Sequence, residues 1–331
     1  YHDTTFYLIC SNIKDFKFIN EIFGMEKGNQ VLIKQAKLMA SNPSERTICA
    51  RLMNDRFALC LPREEFDEKR VADSVKELQR EISGNSFHLH TYMGVYEIRD
   101  RDEAVSIMVD KANIAADTIK NNYDCCVAYY DEHLLEISIE QRRLLGEFEP
   151  ALQNDEFVMY LQPQVKRDGA AKGAEALVRW VHPSRGILTP YAFIDILENA
   201  GLIYKLDLYI WEKAAQKLAE WKEKGYGSYH ISVNISTKDF YIIDIYETFT
   251  GLINKYGIAA SNLHLEITET TLMTDFEKNM NIIHKLQGVG FRVEIDDFGS
   301  GYSSLNMLKD ISADVLKSDM GFLRKSEKEF K

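Results

Sequence analysis

The chain has 331 residues, 45% of them apolar, and a formal net charge of −11. That length accommodates two domains of ordinary size, each able to bury its own core. The acidic balance argues against a broad surface for a nucleic-acid polymer or an anionic membrane, while still allowing one basic pocket for a small anionic ligand. No run of about 18 apolar residues occurs, so nothing reads as a membrane span. Cys10, Cys49, Cys60, Cys125 and Cys126 are odd in number and sit mostly in apolar, strand-like runs. They read as reduced core thiols of a cytoplasmic protein. No CxxC pair or Cys/His spacing of the zinc-binding kind is present. The chain starts at Tyr1 and reads as a fragment, so an upstream sensor or membrane anchor is expected outside it.

In chain order, Phe6 to Cys10 is a continuous apolar run and reads as a buried strand. Helical spacing follows from Lys14 to Met39, with breaks expected at Gly24 and Gly28. Two apolar runs, Thr47 to Leu52 and Arg56 to Leu61, flank Asn54-Asp55, a hairpin turn signal. Phe66 to Ile82 is amphipathic, Phe87 to Tyr96 alternates as a strand does, Ala104 to Ile119 is helical, and Cys125 to Tyr130 is a last strand. This order predicts an α+β sheet of about five strands.

Residues 4–131 resemble the GGDEF, or diguanylate cyclase, domain. The resemblance rests on Asp15-Phe16-Lys17-Phe18-Ile19-Asn20, on Phe23-Gly24 with Gly28-Asn29, and on Arg51-Leu52-Met53-Asn54-Asp55-Arg56-Phe57. Active members carry two glycines where Met53 and Asn54 stand, a catalytic glutamate at Arg56, a metal-binding aspartate at Asn12 and a guanine-binding aspartate at Asn29. Of the acidic metal ligands only Asp55 remains. Two magnesium ions on a triphosphate need that lost negative charge, so the resemblance implies a domain without cyclase activity. A retained guanine contact through Asn20 stays open beside a plain scaffold or regulatory role.

Residues 132–150 mix leucine, isoleucine and phenylalanine with Glu and Arg and read as a linking helix that packs on one domain. A flexible linker would carry more Gly, Ser and Pro. From Phe157 onward strands and helices alternate, the pattern of a (β/α) barrel of TIM type. Strands are expected at Phe157 to Leu161, Gly173 to Trp180, His230 to Asn234, Leu263 to Glu269, Val293 to Ile295 and Ala313 to Lys317. Helices are expected at Tyr191 to Ala200, Tyr204 to Trp221, Tyr241 to Tyr256 and Phe276 to Leu286. Convergent strand ends would gather Glu175, Asn234, Glu266, Asp296, Asp297 and Lys317. Each alone reads as an edge charge, a turn former or a salt-bridge partner. The adjacent carboxylates of Asp296 and Asp297 repel each other, and a divalent cation is the usual remedy. Carboxylate and amide oxygens together suit Mg²⁺ or Mn²⁺, two of which can clamp a phosphodiester and activate water.

The second half, from about residue 135, resembles the EAL domain, the cyclic di-GMP phosphodiesterase. The motifs are Gln162-Pro163, Glu175-Ala176-Leu177-Val178-Arg179-Trp180, Ser232-Val233-Asn234-Ile235-Ser236, Glu266-Ile267-Thr268-Glu269, Asp296-Asp297-Phe298-Gly299-Ser300-Gly301-Tyr302-Ser303-Ser304 and Leu316-Lys317-Ser318-Asp319. The resemblance implies that Glu175, Asn234, Glu266 and Asp296 ligate a first metal, with Asp297 serving a second. It gives Lys317 the attacking water, Gln162, Leu177 and Arg179 the substrate, and Glu269 the positioning of a loop at a homodimer interface. Ser300 and Ser318 depart slightly from the family pattern. The resemblance further implies two strands after Lys331, carrying a glutamate and a glutamine for the same site. The expected domains are therefore 1–131, a linker at 132–150, and 151–331. The expected activity is metal-dependent hydrolysis of cyclic di-GMP to linear pGpG under an inactive GGDEF regulator. A receptor that binds without hydrolysis, and a barrel acting on another phosphodiester, are the alternatives.

Overall fold

The computed structural model describes residues 4–14, 16–40, 44–82, 89–122, 124–165, 168–298 and 313–318. Asp15, Phe87, residues 299–304 and Asp319, all singled out above, lie outside the described residues. The chain divides into two compact units, Tyr1–Glu140 and Gln141–Lys331.

The first unit contains β1 (Phe6–Ile13), α1 (Phe16–Met39), β2 (Ile48–Arg51), β3 (Phe57–Pro62), α2 (Glu68–Ile82), β4 (Thr91–Ile98), α3 (Val105–Thr118) and β5 (Val127–Tyr129). They build a five-stranded sheet in the order β2-β3-β1-β4-β5. Strand β1 pairs antiparallel with β3 and β4, while β4 and β5 are parallel. Its central place explains its nearly unbroken apolar sequence, because both faces are covered. Helix α1 kinks at Gly24, whose φ of 82° and ψ of 159° suit only glycine. Gly28, the second expected break, stays helical and instead admits Asn20, whose Oδ1 would lie 1.9 Å from a Cβ at that position.

Gly94 lets α3 pack directly on β4. A Cβ there would lie 1.8 Å from the carbonyl oxygen of Ala112 and 2.5 Å from the amide nitrogen of Ala116. Backbone cannot step aside as a side-chain tip can, so Gly94→Ala is expected to cost about 1–3 kcal/mol. Hydrogen exchange at the β4 and α3 amides should accelerate in this variant, and unchanged protection would refute the close-approach account.

Helix α4 (Glu132–Gln153) passes through the division between units, and its Leu144, Phe148 and Ala151 enter the second unit's core. The second unit continues with β6 (Phe157–Val165), β7 (Ala171–His182), β8 (Gly186–Leu188), α5 (Ile194–Ala200), α6 (Ile203–Glu223) and β9 (His230–Ile235). Then follow α7 (Asp239–Ile242), α8 (Ile245–Tyr256), β10 (Leu263–Thr268), α9 (Glu269–Thr274), α10 (Phe276–Val289), β11 (Arg292–Phe298) and β12 (Val315–Ser318). The sheet order is β12-β11-β10-β9-β7-β6, with β8 beside β7.

Strands β7, β9, β10, β11 and β12 are parallel to their neighbours in that order. Strand β6 is antiparallel to β7, a departure from strict strand–helix alternation. The connection from Val165 to Ala171 is too short for a parallel crossover, which needs a dozen residues or more, so the chain folds back as a hairpin. The helix expected from Tyr241 to Tyr256 is split. The Asp244 carboxylate accepts from the Glu247 amide at 3.0 Å and starts α8 afresh. The thiols are also not uniformly in the core: all five are free, Cys10 is buried, Cys49 is exposed and the other three are partly covered. Strand β2 is an edge strand, which leaves Cys49 without a covering layer.

Alternation along the parallel strands separates two chemistries. Ile231, Val233 and Ile235 of β9, Leu263, Leu265 and Ile267 of β10, and Val293 and Ile295 of β11 share one buried core with Trp211, Phe249 and Leu286 of the helices. Residues between them necessarily face the other way. These are Ser232 and Asn234, His264 and Glu266, and Glu294 and Asp296, all polar.

Candidate functional site

Pairing register sets which polar residues meet. Glu175 of β7 lies beside Gln162 of β6 and Ser232 of β9. Asn234 is the register partner of Glu266, and Glu266 of Glu294. Asp296, one step further along β11, pairs with Thr268. Glu175 is thus in the body of a 12-residue strand and not at its end, because β7 runs on to pair with both β6 and β8.

Lys317 of β12 is the hub. Its Nζ lies 2.5 Å from Glu266 Oε1, 3.3 Å from Glu294 Oε2 and 3.4 Å from Glu175 Oε2. Burial disfavours its charge, but the carboxylates of Glu266, Glu175 and Glu294 outweigh that and raise its pKa. Lys317 therefore stays an ammonium.

Glu266 is 1% exposed, and its Oε2 has no hydrogen-bond partner. Burial pushes its pKa up to about 8, opposed by Lys317 and reinforced by the neighbouring charges of Glu175 and Asp296. A buried, half-satisfied carboxylate crowded by two others is a natural ligand for a divalent cation. The oxygen-rich donor set at this point fits Mg²⁺ or Mn²⁺. Glu294 behaves oppositely: burial raises its pKa, but the His264 hydrogen bond and Lys317 overcome this and hold it at about 2.

Asp297 has a φ of 54° and lies where the β11–β12 register shifts between Ile295 and Phe298. Regular alternation would send it to the face opposite Asp296, and the register shift falls at this point of the strand. Asn234 exposes its side chain, while its carbonyl accepts from Trp211 Nε1 at 2.9 Å. The Arg179 guanidinium sits 5.7 Å from the centre of the Tyr160 ring and donates from Nη1 to the Val178 carbonyl at 2.8 Å. Gln162 is exposed and Leu177 half-buried, on the same β6–β7 ribbon. Glu269 opens α9 and is 4% exposed. The preceding Thr268 hydroxyl caps that helix, accepting from the Thr271 amide at 3.3 Å.

Glu294, His264 and His230 were not among the expected residues. The only sequence signal for Glu294 was its alternation with Asp296 on one face of β11.

A five-stranded α+β unit followed by a mainly parallel sheet with helices on one face and carboxylates on the other defines a two-domain protein of mixed α/β class. Its second domain is TIM-barrel-like. The family model for the EAL domain matches residues 146–330, and that for "Diguanylate cyclase, GGDEF domain" matches residues 1–124. The chain belongs to the EAL domain family and carries a GGDEF domain ahead of it. It is 30% identical over 331 residues to the bifunctional diguanylate cyclase/cyclic di-GMP phosphodiesterase MucR of Pseudomonas aeruginosa, covering 97% of this chain and 48% of that protein. The chain spans about half the length of the first curated relatives it matches.

Among solved structures, the MucR phosphodiesterase in complex with cyclic di-GMP superposes with a TM-score of 0.53 at 34% identity, over 56% of this chain and 75% of that one. The GGDEF–EAL portion of Vibrio cholerae LapD matches 95% of this chain and 75% of its own with a TM-score of 0.59, and at 17% identity it speaks to the fold alone. Among the described residues no helix is long and apolar enough to cross a membrane.

Proposed function

We propose that this is a cyclic di-GMP signalling protein whose EAL domain hydrolyses cyclic di-GMP to linear pGpG, using two Mg²⁺ or Mn²⁺ ions. The observation that carries the reading is the buried Glu266 carboxylate, unpaired at Oε2 and crowded by Glu175 and Asp296. Glu175, Asn234, Glu266 and Asp296 would hold one ion, and Asp297 with Asp296 the other. Bound ions would neutralise charge on the phosphate and lower the pKa of a water.

The chain's own residues do the rest. Lys317, kept positive by its three carboxylates, cannot accept a proton from water. It can orient the water by donating to it and stabilise the charge that develops as it attacks. Arg179, positioned against Tyr160, offers a planar fork to a phosphate, and Gln162 and Leu177 line the same ribbon. Glu269 would fix the turn after β10, the segment through which an EAL homodimer would couple to metal binding.

The GGDEF domain is read as a regulator without cyclase activity. Its cavity of 450 Å³ is lined by Asn12, Lys17, Asn54, Asp55, Arg56 and Lys120 among others. Among the described residues Asp55 is the one carboxylate there, and its Oδ2 accepts from the Ile13 amide at 3.3 Å. Three cations around a single carboxylate, counted among the described residues, disfavour the paired magnesium ions of a cyclase.

Incubating the full-length protein with cyclic di-GMP and either cation should yield the linear dinucleotide. Incubation with GTP should yield no cyclic product. Tight binding of cyclic di-GMP without turnover would replace the hydrolase by a receptor.

A further inference from the structure

Three carboxylates surround the Lys317 ammonium, and they are not equivalent. Glu175 and Glu266 are among the residues assigned above to the first ion, so an occupied site draws on their charge. Glu294 is outside that set. Its Oε1 accepts from His264 Nδ1 at 2.6 Å and from Ser232 Oγ at 3.2 Å. Its Oε2 faces Lys317 Nζ at 3.3 Å and takes no hydrogen bond among the described residues.

We propose that Glu294 is the positioning residue for Lys317, the counter-ion that keeps the ammonium at the site once Glu175 and Glu266 serve the ion. Its effect on turnover rests on the hydrolase reading above. A lysine is a point charge on a flexible stem, so the field around it decides where it stays. Divalent cations repel an ammonium, and a carboxylate that is not itself a ligand offsets that repulsion. A cavity of 790 Å³, lined by Lys317 and also by Lys172 and Arg292, gives an unanchored side chain room to leave.

Glu294 can anchor the lysine because it is itself fixed at the corner of a closed polar circuit. His264 of β10 stacks on His230 of β9, with ring centres 3.8 Å apart and planes 4° from parallel. His230 Nε2 donates to Gln164 Oε1 of β6 at 2.8 Å, and Gln164 Nε2 donates to Ser232 Oγ at 3.2 Å. Ser232 returns to Glu294 Oε1, so β6, β9 and β10 together hold one carboxylate of β11. Gly173 of β7 leaves the space for His230, since a Cβ there would lie 2.4 Å from the ring. Glu294 and His264 are buried, and polar groups at that depth are costly to leave unpaired, which keeps the circuit closed.

The division of labour between the two oxygens makes the role separable. Glu294→Gln keeps one oxygen for His264 and Ser232 but turns an amide N–H toward Lys317, donor against donor. The shape of the side chain is nearly unchanged. Lys317 loses its anchor, while the residues assigned to metal and substrate keep their own side chains.

Kinetics and amine labelling on the full-length protein test this. At saturating Mg²⁺, Glu294→Gln should lower kcat for cyclic di-GMP by about 10- to 100-fold. KM should stay within about threefold, because Glu294 is not assigned to the substrate. In a Lys317→Ala background Glu294→Gln should cost nothing further, since a residue that acts through Lys317 has nothing left to position. His264→Asn retains a donor for Oε1 and should keep most of the rate, whereas His264→Leu should not. Acetylation of Lys317 by acetic anhydride, read by mass spectrometry, needs no turnover. With Mg²⁺ present it should run about tenfold faster in Glu294→Gln than in wild type, the equivalent of one lost charge-assisted contact. Without the ion the difference should shrink, because Glu175 and Glu266 then hold the ammonium. Losses that multiply in the double variant, or equal labelling of Lys317 in Mg²⁺, would overturn the role. A wild type without turnover, but with faster labelling in Glu294→Gln, would take down the hydrolase reading and leave the anchor standing.

Discussion

Replacing Glu266 by Gln should lower cyclic di-GMP hydrolysis by about 10³-fold or more, roughly 4 kcal/mol of transition-state stabilisation. The side chain is fully buried, and its unpaired Oε2 makes it the strongest candidate for a direct metal contact. Glutamine keeps the shape but removes the charge. Lys317 would retain Glu294 at 3.3 Å and Glu175 at 3.4 Å, so the ammonium is not stranded. The fold should therefore persist, and a melting temperature within a few degrees of wild type is the companion expectation. Product chromatography on the full-length variant at saturating Mg²⁺ gives the rate. A rate within about tenfold of wild type would remove Glu266 from the metal site, given the usual 10²–10³-fold cost of losing one transition-state contact. Loss of activity with collapse of the fold would assign Glu266 a structural role instead.

The largest effect on stability is expected at Trp180. It is fully buried on β7, 4.8 Å from the Phe157 ring and 5.8 Å from that of Phe193. Phe148 of α4 joins the cluster through Phe157 at 5.7 Å. The indole Nε1 also donates to Glu156 Oε2 at 2.9 Å. Trp180→Ala removes the packing, leaves a cavity and strands that acceptor, for about 3–5 kcal/mol. Trp180→Phe keeps most of the volume and should cost much less. All three tryptophans, Trp180, Trp211 and Trp221, belong to the second unit, so the remaining two report its unfolding by fluorescence. A denaturation midpoint equivalent to less than about 1 kcal/mol of loss in Trp180→Ala would mean the core collapses around the gap.

These two positions differ in how they could be found. Trp180 is marked locally, as a large apolar residue in an apolar strand-like run that opens at Gly173. Glu266 and Glu175 stand out through motifs that resemble a known family. Glu294 has neither mark: one carboxylate in Val293-Glu294-Ile295 reads as an ordinary polar step in a half-buried strand. Its meaning comes from His264 one strand away and Lys317 on the next, contacts between segments far apart in sequence. The β6–β7 hairpin shows the same limit. Both strands were legible as apolar runs, but their antiparallel pairing depends on the short connection between them.

The amino-acid order alone settled which residues face which side of each strand, because successive side chains in extended backbone must alternate. It also settled the kink at Gly24, a local conformational preference of glycine, whereas the fresh helix start at Asp244 was not expected from the Tyr241–Tyr256 pattern. Only the assembled sheet decided how far along each strand the polar residues lie relative to those of its neighbours. That height comes from interstrand hydrogen bonding, which no single segment encodes, and it is what puts one lysine among three acids and two histidines face to face.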